Sequence, residues 1–435
     1  MLSFLQLIVT LLAFILSHKY EAIAEYVPPY SSLVVPITKH TDAATPLYSV
    51  QFETSWDITR SKIRRFLIDT DAPFIWNDCI VQWNIYPGSC PDNLLCVSPV
   101  SCEEYQCTQV RTSISFKNPS CQPETNSSTL PGWGYCTCPV NVVNPITGSC
   151  SQGLLNYEDL MLSTSNGMNP FDGIYDVTIN GACAPSSSFE SFPANVTGVL
   201  ALSSSPYSFQ SFFFQDQVMY RISLCLPSTT STPGVLFYGN GPKYFKNVDV
   251  TSYLSYTPLL KHPDSFGYFI GVSSIVIKKR SIEVPMNTTT KLSTIEPYTT
   301  LRTDIYNQVI RRFSMVTKRF RTVKPIAPFG LCYKSYTNGT EYGLKVPDID
   351  FGLENGKKWT VSTANSMKQV TKDVVCLAFV DGGATSEHGI VIGTFQFEDN
   401  FVSFDLKNST FGFSSSLLSK QISCANFNFT TIASN

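Results

Sequence analysis

The residues of this chain best placed to do chemistry lie in one short stretch. The apolar run Phe66-Leu67-Ile68 delivers Asp69 and Thr70 into a tight turn, Asp71-Ala72-Pro73 follows, and a second apolar run ends at Trp76. Two acids about 3 Å apart cannot both ionise, so such a pair shares a proton and can hold an attacking water. Asp69 and Asp71 belong to one loop and cannot form a symmetric pair drawn from two. Other chemistries have less support. Beyond the first 24 residues the only histidines are His40, His262 and His388, none beside a Gly-x-Ser-x-Gly elbow, and they read as surface loop residues. No Walker loop or dinucleotide fingerprint is present, so no cofactor is implied. Cys136-Thr-Cys138 and Cys102…Cys107 invite a zinc reading. Neither has the two-residue spacing and matching second half of a zinc ribbon, so no metal is expected.

Composition narrows the setting. Of 435 residues, 43% are hydrophobic and 15% charged, with net charge −2 and a pI near 6.1. That balance argues against a disordered charged tail and against a nucleic-acid binder, which needs a basic field. The length exceeds what one hydrophobic core supports, so at least two lobes are expected. Leu2 to Leu16 is an apolar run too short to span a bilayer, and Ala22-Ile23-Ala24 follows as a small-x-small cleavage pattern. Residues 1–24 read as a secretory signal; a signal anchor is the alternative, because no Lys or Arg precedes the run. Six sequons, at Asn126, Asn195, Asn287, Asn338, Asn408 and Asn428, point to the same extracellular compartment, as do the fourteen cysteines. No later apolar segment is long enough to cross a membrane. Disulfides are therefore the default. Nine of the cysteines fall between Cys79 and Cys150, in a stretch rich in Pro, Gly, Asn and Ser that reads as a loop excursion held by disulfides.

The elements that must position Asp69 are strands. Period-two alternation or β-branched runs mark Ser32–Thr38, Leu47–Glu53, Phe66–Ile68, Ile114–Phe116, Gly234–Tyr238, Tyr268–Val272 and Phe401–Leu406. Helical periodicity is scarce. The best case is Asp304 to Phe313, with Ile305, Val309, Ile310 and Phe313 on one face and Arg311 and Arg312 toward solvent. This pattern predicts an all-β protein of two barrel-like lobes with a few short helices. A boundary is expected after Cys225, in Leu226–Pro233, giving lobes 25–225 and 226–435. Gly198-Val-Leu-Ala-Leu202 and Gly389-Ile-Val-Ile-Gly393 are a faint internal echo, as two similar lobes would produce. Lys278-Lys279-Arg280 reads as a solvated hairpin or a processing site.

The Asp69 stretch resembles the apolar-apolar-Asp-Thr-Gly-Ser loop of pepsin-like aspartic proteases, with Asp71 and Ala72 in place of Gly and Ser. In that family each lobe supplies one aspartate. Counting back from Thr299-Thr-Leu301 and the helix after it, Ser293-Thr294-Ile295 stands where the second Asp-Ser/Thr-Gly belongs. Glu296 and Asp304 are the nearest acids, but moving either in breaks the loop register. The flap over such a site normally carries a Tyr; Tyr157, in Gly148–Asp159, is the only candidate and lies in the wrong context. Asp71 in the glycine position is expected to be unfavourable, since that glycine lets two loops approach. Proteolysis is therefore not expected, and an active aspartic endopeptidase is the least favoured alternative.

Several long motifs in order carry a closer resemblance: Phe66-Leu-Ile-Asp-Thr-Asp-Ala-Pro-Phe-Ile-Trp-Asn-Asp-Cys79, Lys291-Leu-Ser-Thr-Ile-Glu-Pro-Tyr-Thr-Thr-Leu301, Ala327-Pro-Phe-Gly-Leu-Cys332, Val375-Cys-Leu-Ala-Phe-Val-Asp-Gly-Gly383 and Cys424-Ala-Asn-Phe-Asn-Phe-Thr430. The chain resembles the plant secreted, pepsin-like but protease-inactive proteins: extracellular dermal glycoprotein, basic seven-S globulin, and the xylanase and xyloglucan-endoglucanase inhibitors. The resemblance implies a bilobal pepsin-like fold, a monomer with no catalytic residue (Asp69 and Ser293 vestigial), and a Cys332–Cys376 bridge. It implies a partner too, a microbial cell-wall-degrading glycoside hydrolase whose carboxylate pair meets a basic side chain on a rigid loop. The candidates are Arg321, in Lys318-Arg319-Phe320-Arg321-Thr322, and Lys420 with Gln421. The inhibitory arginines of glucanase-inhibiting relatives align with Thr322 and Gln421, one position away from Arg321 and Lys420. The histidine that xylanase-inhibiting relatives use is missing between Leu406 and Cys424. A storage or ligand-binding role without inhibition is the alternative.

Overall fold

The computed structural model describes residues 31–43, 45–57, 60–82, 95–112, 136–213, 220–335 and 344–433. The N-terminal segment 1–24, the strand expected at Ile114–Phe116, Cys90, Cys121, Asn126 and Asn338 lie outside the described residues.

Strands dominate. Seven of them close on themselves, hydrogen-bonded in the order Ser32–His40, Leu47–Asp57, Arg60–Asp69, Gly198–Ala201, Ile75–Asp78, Pro170–Ala184, Cys150–Ser165, and the last pairs back onto the first two. Closure removes the exposed edges that an open sheet would leave. The strand carrying Asp69 is central: its last residues Phe66, Leu67 and Ile68 are completely buried, because sheet neighbours and core cover both faces.

A second sheet repeats the pattern around Ser293. Thr290–Leu292 runs antiparallel to Ser265–Ile270 and parallel to Ile390–Ile392, which is antiparallel to Thr299–Leu301, itself parallel to Phe379–Asp381. In the first half Arg60–Asp69 has the same neighbours with the same polarities: Leu47–Asp57 antiparallel and Gly198–Ala201 parallel, then Ile75–Asp78 antiparallel and Pro170–Ala184 parallel. The faint echo between 198–202 and 389–393 is therefore one strand of a repeated five-strand unit. The halves also share a sheet. Arg221–Cys225 pairs with Gly234–Tyr238 on one side and Phe401–Asp405 on the other, and Cys225 is bonded to Cys424. The Leu226–Pro233 connector is thus the loop between two paired strands.

Helix Thr303–Val316 forms where the periodicity places it, burying Ile305, Tyr306, Val309 and Phe313. One detail differs: Arg311 faces solvent, but Arg312 is half-buried and donates to the carbonyls of Ile277 and Lys278 at 3.2 and 3.1 Å. No helix among the described residues is long and apolar enough to cross a membrane.

The cysteines settle between the two readings open to them. Cys102–Cys136 and Cys107–Cys138 are disulfides, so neither motif is free to hold zinc. The excursion is not closed by local bridges alone, because Cys79 pairs with Cys183 and ties the end of strand Ile75–Asp78 to strand Pro170–Ala184. Cys332 is bonded to Cys376 between paired strands, with Cα atoms 4.0 Å apart.

Candidate functional site

The two loops that follow the repeated central strands meet face to face. The Thr294 hydroxyl donates to the Ile68 carbonyl at 2.8 Å and accepts from the Thr70 amide at 3.1 Å, while the Thr70 hydroxyl donates to the Leu292 carbonyl at 3.2 Å. Each threonine hydroxyl thus bonds the carbonyl two residues before the other threonine, a near two-fold exchange. All of these groups are buried, so the bonds lock the loops together with little competition from water. Asp69 precedes Thr70 as Ser293 precedes Thr294, so each is adjacent in sequence to the locked junction.

Asp69 is 6% exposed. Burial, and secondarily the charge of Asp71, push its carboxyl up to about 6, although the Asp71 amide donates to it at 2.8 Å. The Ser293 hydroxyl accepts from the amides of Ile295 and Glu296 at 3.2 and 3.0 Å, which orients it within its own loop. At equivalent positions the two loops carry one carboxyl and one hydroxyl, and a hydroxyl cannot take the ionised half of a shared-proton pair. Neither neighbouring acid replaces it. Asp304 is held by the Arg302 guanidinium at 2.7 and 2.9 Å at the start of the surface helix, and Glu296 is an exposed acid after the turn, its carboxyl pushed up by partial desolvation.

Asp71 overturns an expectation. Its φ is not positive, so the aspartate needs no glycine-like backbone, and its side chain crosses to the other half. There it forms an ion pair with Lys291 and accepts from the Ser265 hydroxyl at 2.7 Å. Burial alone would raise its pKa, but the Lys291 ammonium and the Ser265 hydroxyl hold it below the usual carboxylate value. Room comes from Gly267, where a Cβ would stand 2.7 Å from Asp71 Oδ1. The substitution that should have pushed the loops apart joins them. Lys291 and Ser265 are the residues that sequence reasoning missed. The available signal was Asp71 itself, since an acid at a close loop contact requires a cation opposite.

Tyr157 is no flap residue. It lies inside strand Cys150–Ser165, paired with Ser98 and Asn180, and its hydroxyl bonds Glu104. The turns at 144–149 and 166–169 that end this strand carry no tyrosine. His40 bonds the Ser49 hydroxyl at 2.7 Å. His262 and His388 are not isolated loop residues: their rings lie 5.8 Å apart, both against Phe269. A groove of about 450 Å³ opens beside Ser265 and Gly267, with Gln210, His262, Phe266 and Tyr268 in its walls.

Arg321 and Lys420 are both exposed and stand on different elements. The Arg321 carbonyl accepts from the Lys334 amide at 2.9 Å, which fixes the backbone beside strand Thr322–Val323. Lys420 ends a short 3₁₀ turn, 6.0 Å from the Tyr253 ring centroid. Gln421 follows at φ 58°, its carbonyl accepting from the Lys246 ammonium at 3.2 Å. Three residues later the Cys225–Cys424 disulfide clamps the loop. Asn195, Asn287, Asn408 and Asn428 are all exposed.

Comparison with known proteins agrees with this architecture. The xylanase inhibitor N-terminal model matches residues 58–240 and the xylanase inhibitor C-terminal model matches residues 267–415. A probable aspartic proteinase, GIP2, of Nicotiana benthamiana is 34% identical over 92% of this chain and 92% of its own. Gamma conglutin 1 of Prunus dulcis is 34% identical over 93% and 91%. The crystal structure of edgp superposes with a TM-score of 0.79 at 30% identity, covering 93% of this chain and 100% of that one. With a repeated pepsin-like half, loops locked by Thr70 and Thr294, and similarity along nearly its whole length, the chain belongs to the plant pepsin-like family of the xylanase inhibitors, basic seven-S globulins and gamma conglutins.

Proposed function

We propose that the protein is a secreted, catalytically silent member of this family that binds and inhibits a cell-wall-degrading glycoside hydrolase, a xylanase or xyloglucanase. Residues 1–24 are removed on secretion, 25–225 form one lobe and 226–435 the other. What supports the reading is the exchange between Thr70 and Thr294, which puts Asp69 and Ser293 at equivalent positions of the two loops, so that Ser293 stands in for the second catalytic acid. With peptide hydrolysis lost, the surface becomes the working part. Arg321 and Lys420 stand on anchored backbone, so little conformational freedom is lost when either enters a cleft. Either cation would pair with the hydrolase's carboxylates. Asn195, Asn287, Asn408 and Asn428 are the proposed glycan sites within the described residues.

The test is titration of xylan and xyloglucan hydrolases with the purified protein, wild type and Arg321→Ala/Lys420→Ala. Inhibition of one hydrolase at micromolar protein, weakened about tenfold or more in the double variant, is expected if these are well-buried charge contacts. No inhibition of either hydrolase would leave the storage role in its place. In parallel, pepstatin-sensitive cleavage of a denatured substrate at acidic pH, abolished by Asp69→Asn, would refute catalytic silence.

A further inference from the structure

The hairpin joining strand Val272–Ile277 to strand Arg280–Glu283 turns on Lys278 and Lys279, at φ 48° and 64°. A two-residue turn with both central residues at positive φ strongly favours Asn-Gly, which adopts that backbone with least strain. Two lysines are a poor choice for it. Their side chains disfavour the conformation, and their like charges sit side by side at an exposed tip. The turn has been filled with charge at the expense of local stability.

More cations surround the tip. Arg280 is exposed beside it, and Arg312 lies against it, bonded to the Ile277 and Lys278 carbonyls. Arg311 is exposed next to Arg312. Just past the helix end, Arg319 donates to the Lys345 carbonyl at 3.1 Å, with its guanidinium 4.7 Å from the Phe320 ring centroid. Carbonyls and a ring, not carboxylates, hold these guanidinium groups in place. Among the described residues none of the six cations has an ion-pair partner. The nearby acids are engaged elsewhere: Glu283 accepts from Ser281, Asp304 is taken by Arg302, Asp350, opposite Val276, pairs with Lys358, and Asp348 lies near both Asp350 and Lys345. In a chain of net charge −2 this is a local excess of positive charge.

We propose that this surface binds a linear polyuronate, an acidic polysaccharide whose carboxylates recur along the chain. The cations lie along a hairpin tip and a helix end rather than around a pocket, which suits a polymer better than a single anion. Guanidinium forks match carboxylates. A single-stranded nucleic acid would want exposed aromatic platforms, and no aromatic side chain on these elements is exposed. An anionic bilayer is the wrong surface for a disulfide-bonded fold, because anionic lipid faces the cytoplasm. The site is separate from Asp69 and from the loop at Lys420, and it approaches the Arg321 segment only through Arg319, two residues away.

The experiment measures binding of the full-length secreted protein to immobilised polygalacturonate, to its fully methyl-esterified form, to duplex DNA and to phosphatidylserine vesicles. Retention on the acid form at about 50 mM salt and release by about 500 mM is expected, because contacts between exposed charges are screened over that range. Lys278→Asn/Lys279→Gly restores the favoured turn, so it should melt no lower than wild type yet bind about tenfold more weakly or worse. Lys278→Glu/Lys279→Glu should lose binding altogether, Lys372→Glu outside the patch should keep it, and hydrolase inhibition should be the same in all four proteins. Undiminished binding by the Asn-Gly variant, equal binding of the esterified polymer, tighter binding of DNA or vesicles, or no binding at low salt would each overturn the proposal.

Discussion

Asp69 and Asp71, two residues apart, respond to pH in opposite directions. The folded state keeps the Asp69 proton up to about 6, whereas an unfolded chain releases it near the ordinary value of 3.8. A raised folded pKa means that the group's contribution to stability is complete below the unfolded value and is lost as pH rises through the folded one. Asp69 should therefore lower stability progressively between about pH 4 and 6 and add no slope above that range. Thermal unfolding followed from acid to neutral pH should show a shallower slope in Asp69→Asn than in wild type, the remainder coming from Glu158, whose burial pushes its carboxyl up to about 7; an unchanged slope in the variant would mean that Asp69 contributes none of it. Asp71 has the reverse sign. With its pKa lowered by Lys291, its contribution is present above the ordinary value and fades only in stronger acid. The sequence made Asp69 visible because an apolar strand delivers it into a turn, and Ser293 visible through the family resemblance, counting back from Thr299–Leu301. Lys291 and Ser265 stayed hidden, because contact with Asp71 across 220 and 194 residues follows from loop closure and not from any local pattern.

At the scale of elements, the site depends on how closely strand Gly198–Ala201 lies beside Arg60–Asp69. Gly198 pairs with Phe66, and a Cβ on it would stand 2.5 Å from the fully buried Phe66 ring. The ring is packed on all sides and has no free direction to move. Gly198→Ala should therefore cost about 1–3 kcal/mol, in the range of overpacked cores. A denaturant midpoint equal to wild type would show that the strands separate freely. Most strands and helix Thr303–Val316 were legible from period-two and period-3.6 patterning, because one-sided burial imprints its period on a sequence. Arg312 was not. Helical phase puts it beside Arg311 toward solvent, but the Lys278 hairpin, from another element, covers it. Tyr157 failed as a flap residue for a similar reason: its strand continues well past it, and only the pairing register reveals that.

On the scale of the whole molecule, the first strand and a late segment are joined by a buried charge pair. Lys39 Nζ donates to Glu398 Oε1 at 2.7 Å and to the Ser228 carbonyl at 2.8 Å, and the Tyr48 hydroxyl donates to the same carboxylate oxygen at 2.7 Å. Both charged side chains are under 8% exposed. Lys39→Met would leave the Glu398 carboxylate buried without its counter-charge, at a cost of about 3–5 kcal/mol. Lys39→Met/Glu398→Gln should recover much of that loss. Unfolding midpoints of the two variants measure it, and a single variant as stable as wild type would show that solvent reaches the pair. By itself the sequence determined a β-rich chain of two related halves, the loops that begin at Asp69 and Ser293, and cysteines paired rather than metal-bound in kind. These follow from patterning, composition and motif, which are local properties. Only the tertiary structure decided that Asp71 joins the halves through Lys291, that Cys79 reaches Cys183, and that six cations gather without acidic partners. Each depends on which distant surfaces meet, and the strands that bring them together record their own burial but not the identity of their neighbours.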